Sequence, residues 1–289
     1  FLLRIHEGYD NPVEVYRRIG KKNPDWGWGV CMDARERRRK RDIPMHFYID
    51  NVTSEAGARA LLRVRLKAAA MMAEGVEQGG LVSLFGSGHS VLPVMDAFPR
   101  YGSYPALRPL TDSRLSWFNV LGTGGVRELL WLERTEGYIA NFLGNYSFQE
   151  GDTLVAYSHG GLNAAAIDAS LYVRERGGKV VAITSVANLE VNEATHSSGK
   201  RLAEVADMVI DNCCVPADAV VDIDGWGPPV GATSTLAVIV ITMALVSELA
   251  QALKDRGIVL PTFVSPNDTR FGPDHNLEVF AEYKRRVHR

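Results

Sequence analysis

The sequence has few cysteines, almost no net charge and no uninterrupted apolar run long enough to cross a bilayer. Three cysteines among 289 residues, Cys31 and the adjacent Cys213 and Cys214, do not form a disulfide framework and fit a reducing cytoplasm. Lysine plus arginine (32) nearly balances aspartate plus glutamate (34), and the net charge of −2 argues against a nucleic-acid-binding surface. The most apolar run, residues 236–246, is about half the length of a transmembrane helix. We therefore expect a cytoplasmic protein that binds neither nucleic acid nor membrane.

Sequence patterns for common cofactors are missing as well. Gly86 and Gly88 begin a possible dinucleotide motif, but Val91 stands where the third glycine belongs. The phosphate-binding Walker pattern is absent, and no cysteine or histidine pair has the spacing of metal ligands. We therefore expect no metal and no cofactor, and a small neutral or anionic molecule as the ligand.

The residues that are present predict one large α/β domain with an extension at each end. Hydrophobic residues make up 46% of the chain, enough for a sizeable core. Residues 1–44 are rich in charge, glycine and tryptophan, which predicts a poorly packed accessory extension. The domain is predicted to cover residues 45–266, and residues 267–289 a tail with a short helix.

Short apolar runs alternate with helical patterns along this domain. Strands are predicted at residues 81–85, 153–158, 179–185 and 208–211, with a possible further strand at 117–121. Helices are predicted at residues 51–78, 126–143, 163–176, 200–205 and 234–256. Such alternation is typical of a doubly wound α/β fold, in which helices cover both faces of a parallel sheet.

Glycine and hydroxyl side chains follow three of the predicted strands. In a doubly wound sheet, ligands bind beyond the carboxyl ends of the strands, where glycines let backbone N–H groups approach an anion and serines donate hydrogen bonds. Any one loop could be an ordinary turn capped by serine, but three together favour a binding site. The candidate binding residues are Gly86, Ser87, Gly88, His89, Ser90, Ser158, His159, Gly160, Gly161, Asn163, Thr184 and Ser185.

Five motifs, in order, make the chain resemble a known family. They are LFGSGHS (84–90), ERTEG (133–137), SGKRL (198–202), VADMVIDNC (205–213) and GATST (231–235). Together they are similar to stand-alone bacterial members of the SIS (sugar isomerase) domain family. The resemblance implies a five-stranded parallel sheet flanked by helices on both faces, as in flavodoxin-like folds. It also implies a phosphosugar ligand and a homodimer with sites near the subunit interface.

The sequence departs from the family pattern at three places. The second loop of most relatives resembles SNSGRN, whereas here Gly160 replaces a hydroxyl and Leu162 replaces a cation. Relatives carry a carboxylate pair where Met95 and Asp96 stand here, and the phosphoheptose isomerase branch has a histidine on the late helix, which this chain lacks. The altered second loop predicts weaker binding of a dianion, or a preference for another anion. The lack of the histidine means that the mechanism of the phosphoheptose isomerase branch does not carry over whole.

An aldose-ketose isomerisation needs groups that move a proton between neighbouring carbon atoms. The candidate catalytic residues are Glu133, Glu136, His196 and Asp96. Glu133 and Glu136 lie three positions apart, so both can face one side of a helix, although a surface pair is an equal alternative. We expect an isomerase of a sugar phosphate or related anionic sugar. A non-catalytic sugar-phosphate sensor and an amino-sugar etherase or lyase are the alternatives.

Overall fold

The computed structural model describes the backbone of residues 55–288, with side chains from residue 66 onward. The accessory extension predicted at residues 1–44 lies outside the described residues, so the predicted domain boundaries stay predictions. The strands are β1 (Val82–Gly86), β2 (Leu107–Leu110), β3 (Thr153–Tyr157), β4 (Lys179–Thr184), β5 (Met208–Asp211), β6 (Ala219–Val221) and β7 (Val230–Ala232). The helices are α1 (Glu55–Glu77), α2 (Leu92–Ala97), α3 (Val126–Leu132), α4 (Tyr138–Leu143), α5 (Ala164–Arg174), α6 (Val186–Val191), α7 (Leu202–Val205), α8 (Ser234–Asp255) and α9 (His275–Val287).

Strands β1 to β5 form one parallel sheet in the order β2-β1-β3-β4-β5. The first strand, β1, lies inside the sheet, and β2 pairs with it at one edge. Strands β3, β4 and β5 then follow in order on the other side of β1. The change of direction lies between β1 and β3, whose carboxyl ends are therefore adjacent at the switch point of the topology. The predicted five-stranded parallel sheet is confirmed.

The two faces of the sheet are covered by different helices. Alternate residues of β3 point to opposite faces, as in any strand. Val155 and Tyr157 point to the face that α1 and α8 cover, where they lie near Met72 and Leu249. The opposite face belongs to an apolar cluster that includes Leu154 and side chains of α3, α4, α5 and α7. The predicted doubly wound arrangement follows from this double cover.

The edge strand β2 lies elsewhere than the sequence predicts. Residues 117–121 form no strand in the structure; an isolated bridge joins Asn119 to Gly125 instead. The fifth strand is Leu107–Leu110, which contains Arg108 and Pro109. Proline lacks a backbone N–H and is tolerated mainly in edge strands, so this segment gives a poor sequence signal for a strand.

The single helix predicted at residues 126–143 is two helices, α3 and α4. Gly137, the residue before α4, has a φ of 78°, a left-handed conformation that breaks the helix and that glycine adopts without strain. The intervening residues 133–137, which we call the ERTEG turn, hold both glutamates that the sequence nominates as catalytic. They therefore lie on a turn and not on one helix face.

Helix α8 is the most apolar helix of the described chain. Within residues 55–288 it alone is long and apolar enough to cross a membrane by length and composition, and half of that stretch is buried inside the protein. The helix packs against α2, and the Val246 carbonyl accepts a 2.6 Å hydrogen bond from Tyr104 Oη. Its composition is accounted for by the core that it completes.

Residues 219–233 belong to a separate compact unit. Within it, β6 and β7 pair as an antiparallel hairpin, with Ala219 opposite Ala232 and Val221 opposite Val230.

Candidate functional site

A cavity of about 230 Å³ lies at the carboxyl ends of β1 and β3. Its polar wall comes from the loops that follow these two strands, from the ERTEG turn and from the start of α8. Its apolar wall comes from α3 and the segment before it. The lining residues are Ser87, Gly88, His89, Ser90, Trp117, Val126, Leu129, Leu130, Glu133, Ser158, His159, Gly160, Asn163, Asp218 and Ser234.

The first loop, residues 86–90, turns tightly as it leaves β1. Gly86 has no room for a side chain, because an added Cβ would lie 2.1 Å from the Ser90 carbonyl oxygen. Gly88 has a φ of 57°, and the Ser90 N–H donates to the Ser87 carbonyl at 3.1 Å. The glycines therefore bring Ser87, His89 and Ser90 to the cavity wall.

Glu133 is the buried carboxyl of this cavity. Only 5% of its surface is exposed, and its Oε2 accepts a 2.7 Å hydrogen bond from Ser87 Oγ. Burial raises the pKa of Glu133, because the charged form loses water, while the hydrogen bonds from Ser87 and Asn163 and the charge of Arg134 oppose that rise. A carboxyl with a raised pKa in a cavity is suited to exchange protons with a ligand.

The second loop, residues 158–163, joins β3 to α5. Ser158 Oγ accepts a hydrogen bond from the Gly161 N–H at 3.2 Å, and Asn188 Nδ2 donates to the Gly160 carbonyl at 2.8 Å. Asn163 precedes the first residue of α5, an 11-residue helix whose positive N-terminus therefore faces the cavity. The loop thus offers a hydroxyl, an amide and a helix end to a negatively charged group.

One wall of the cavity is aromatic and apolar. The rings of His89 and Trp117 contact each other with centroids 4.2 Å apart, and Leu129 continues this wall from α3. Sequence reasoning placed Trp117 in a strand and missed its role in the wall. Such a surface suits the C–H face of a sugar ring, whose hydroxyls then meet the polar wall opposite.

Asp218 and Ser234 are further lining residues that sequence reasoning missed. The Asp218 carboxylate accepts hydrogen bonds from the Ser234 N–H and Oγ, both at 2.7 Å, at the start of α8. Asp218 has a φ of 62°, which is unusual for a residue other than glycine. Ser234 falls within the quoted motif at residues 231–235, which was the available signal for it; Asp218 had none.

The third loop supports the second loop and does not line the cavity. Thr184 Oγ1 donates to the His159 carbonyl at 3.1 Å. Ser185 is fully buried, where its hydroxyl donates to the Cys214 carbonyl at 2.6 Å and accepts from the Asn188 N–H at 3.0 Å. Both hydroxyls are engaged within the protein, so they position the second loop from behind. Gly86 and Gly161 are also absent from the lining and shape the backbone of their loops.

Three of the four candidate catalytic residues lie away from the cavity. Asp96 forms an ion pair with Arg100 at 3.3 Å on the exposed side of α2. Glu136 accepts hydrogen bonds from the N–H and Oγ of Ser197, and His196 lies beside it in a separate polar cluster. Of the four, Glu133 alone reaches the cavity that the loops enclose.

The charges of the cavity are unusual for a site that would hold a phosphate. Among the described residues that line it, none is lysine or arginine, and the carboxylates are Glu133 and Asp218. His89 and His159 are the lining residues that can become cationic. The groups available to an anion here are therefore hydroxyls, amides, the two histidines and the N-terminus of α5.

Comparison with known proteins places the chain in a family. The family model described as "SIS domain" matches residues 55–185. A UPF0309 protein of Oceanobacillus iheyensis is 35% identical over 221 residues, which cover 76% of this chain and 88% of the relative. A second, from Geobacillus kaustophilus, is 34% identical over 221 residues, with 76% and 86% covered.

Among solved structures, a phosphoheptose isomerase of Neisseria gonorrhoeae is 16% identical. The match covers 76% of this chain and 100% of that one, with a TM-score of 0.45. A likeness this distant assigns no activity, and the assignment depends on the two bacterial relatives and on the matched domain. This chain belongs to the UPF0309 family of SIS-domain proteins.

Proposed function

We propose that the cavity binds a sugar phosphate or a related anionic sugar and interconverts its aldose and ketose forms. The observation that carries this proposal is the position of Glu133, a buried carboxyl in a hydroxyl-lined cavity of an SIS domain. The size of the cavity also fits a sugar phosphate, since a volume of about 230 Å³ holds a single small ligand and not a dinucleotide.

In this reaction Glu133 acts first as a base and then as an acid. Its carboxylate takes the proton from C2 of the open-chain aldose, and the electrons of the C–H bond form the enediolate. Return of the proton to C1, with transfer of the hydroxyl proton between O2 and O1, gives the ketose. Burial raises the pKa of Glu133 toward neutral pH, and a general base is most effective when its pKa lies near the working pH.

The anionic group of the sugar is assigned to the second loop. Ser158, the backbone of Gly160 and Asn163, which precedes α5, all belong to this loop and line the cavity. Ser90 completes the polar wall from the first loop. Because no described lysine or arginine lines the cavity, we expect modest affinity for a dianion.

The test is hydrogen exchange at C2. The protein is incubated in deuterated water with a panel of sugar phosphates, sugar sulfonates and unphosphorylated sugars, first ranked by the rise in melting temperature that each produces. We expect at least one stabilising sugar to acquire deuterium at C2 and to be converted to its isomer. Glu133→Gln should still be stabilised by that sugar but should lose about 10² to 10⁴ in exchange rate. Glu175→Gln, an exposed glutamate on the far end of α5, is the matched control and should keep full activity.

A ligand that binds tightly and returns unlabelled would contradict isomerisation. That result would favour the second candidate, a non-catalytic sensor of anionic sugars. Two observations favour this candidate: no described lysine or arginine lines the cavity, and Leu162 replaces the usual cation of the second loop. A homodimer with sites near the subunit interface is part of either proposal, and light scattering of the purified chain tests it.

A further inference from the structure

His196 and Glu136 belong to a polar cluster beside the cavity that the proposed reaction does not use directly. The His196 side chain is 5% exposed, and its Nε2 lies 2.9 Å from Asp168 Oδ1. Its Nδ1 lies 2.8 Å from Ser198 Oγ and 3.1 Å from the Ser198 backbone N. A backbone N–H can only donate, so Nδ1 is the acceptor and the neutral ring donates from Nε2 to Asp168.

This cluster is bonded to the backbone of the ERTEG turn. The second oxygen of Asp168, Oδ2, accepts a 2.7 Å hydrogen bond from the Gly137 N–H. Glu136 Oε1 accepts a 2.7 Å hydrogen bond from the Ser197 N–H, and its Oε2 accepts another from Ser197 Oγ. The end of the turn is thus held by α5 on one side and by the loop at residues 196–198 on the other.

The same turn carries Glu133 at its beginning. The Glu133 carbonyl accepts a 2.9 Å hydrogen bond from the Ala165 N–H, and the Thr135 N–H donates to the Leu132 carbonyl at 3.0 Å. Glu136 lies three positions after Glu133 in the same turn. The buried Glu133 carboxyl and the bonds at Glu136 and Gly137 therefore belong to one five-residue turn.

We propose that Glu136 and His196 are positioning residues, which act through the ERTEG turn to hold the Glu133 carboxyl in the cavity. This inference rests on the proposed role of Glu133. Asp168, which no sequence motif singled out, is the link between His196 and the turn. A displacement of about 1 Å in a reacting group can cost on the order of 10²-fold in rate. A cluster that holds Glu133 in place therefore affects the rate even though it does not contact the ligand.

The test measures the pKa of Glu133 in the ligand-free protein, so it needs no substrate. Carbon-13 spectra of glutamate carboxyl groups are recorded against pH, and the Glu133 signal is identified by its loss in Glu133→Gln. Glu136→Ala and His196→Ala should each lower the pKa of Glu133 toward that of an ordinary glutamate, because the loosened carboxyl reaches water. Glu136→Gln keeps an acceptor for the Ser197 N–H and should retain the raised pKa. Glu175→Ala is the control and should leave it unchanged.

The outcomes separate this inference from the proposed function. A raised pKa of Glu133 that is unchanged in Glu136→Ala and His196→Ala overturns the positioning role alone. An ordinary pKa in the unmodified protein overturns the proposed role of Glu133 and the positioning role with it. If Glu136→Ala does not fold, Ser197→Ala removes one of the two donors from an exposed position and should lower the pKa in the same direction. Once a substrate is known, Glu136→Ala should reduce kcat about 10-fold or more with little change in KM, and Glu136→Gln should restore it.

Discussion

Ser87→Ala is the most direct perturbation of the cavity, because Ser87 is the hydroxyl bonded to its buried carboxyl. Hydrogen bonds to charged groups contribute about 1.5–3 kcal/mol to stability. The 2.7 Å bond to Glu133 belongs to this class at alkaline pH, where the carboxyl is ionised. A cavity of about 230 Å³ has room for a water molecule in place of the lost hydroxyl. We therefore expect the lower end of the range, a loss of about 1.5 kcal/mol at alkaline pH.

The loss should depend on pH in a defined direction. Burial raises the pKa of Glu133 and the Ser87 bond opposes that rise, so the variant has a still higher pKa. A group whose folded pKa is raised contributes stability below its unfolded pKa and loses it as pH rises through the folded one. The difference between the two proteins should therefore grow from about 0.5 kcal/mol at acid pH, where the carboxyl is neutral, to about 1.5 kcal/mol at alkaline pH.

Urea unfolding at about pH 4, below the ordinary pKa of a glutamate, and at about pH 8 measures this difference. Ser90→Ala is the matched control, because Ser90 lines the same cavity and its hydroxyl makes no hydrogen bond within the part of the chain that the structure describes. Equal losses for Ser87→Ala and Ser90→Ala at both pH values would refute the argument.

Three further substitutions test the structure around the site. Gly86→Ala should cost about 2 kcal/mol or more, because its Cβ would lie 2.1 Å from the Ser90 carbonyl oxygen; an unchanged melting temperature would contradict the geometry of the first loop. Asp152→Ala should cost about 3 kcal/mol or more in urea unfolding, because this buried carboxylate accepts two backbone N–H bonds, at 2.7 and 2.9 Å; a loss below about 1 kcal/mol would be inconsistent with both bonds. Tyr157→Phe should cost about 1 kcal/mol through the loss of its buried hydrogen bond to Thr242, and greater stability would show that this bond does not offset the burial of its hydroxyl.

The central strands could be predicted from sequence because they are buried on both faces. Every residue of β1 and β3 is buried, and both strands are mainly apolar. Gly86 ends β1, and Ser158 follows β3. The edge strand β2 could not be predicted in this way. Arg108 is buried in it through hydrogen bonds to Ser83 Oγ and the Ser147 carbonyl, partners 25 and 39 residues distant. Only the folded chain supplies them.

The sequence by itself determined strands β1, β3, β4 and β5, and that glycine and hydroxyl residues follow β1 and β3. Parallel pairing then requires these two loops to meet at one edge of the sheet, so a binding site there was predictable. Only the tertiary structure decided which side chains share the cavity. It brings Ser87 to Glu133, 46 positions along the chain. It also adds Asp218 and Trp117 to the cavity lining and buries Ser185 in the core. The physical reason is that the direction of a side chain depends on packing and hydrogen bonds between distant segments, which local composition does not encode.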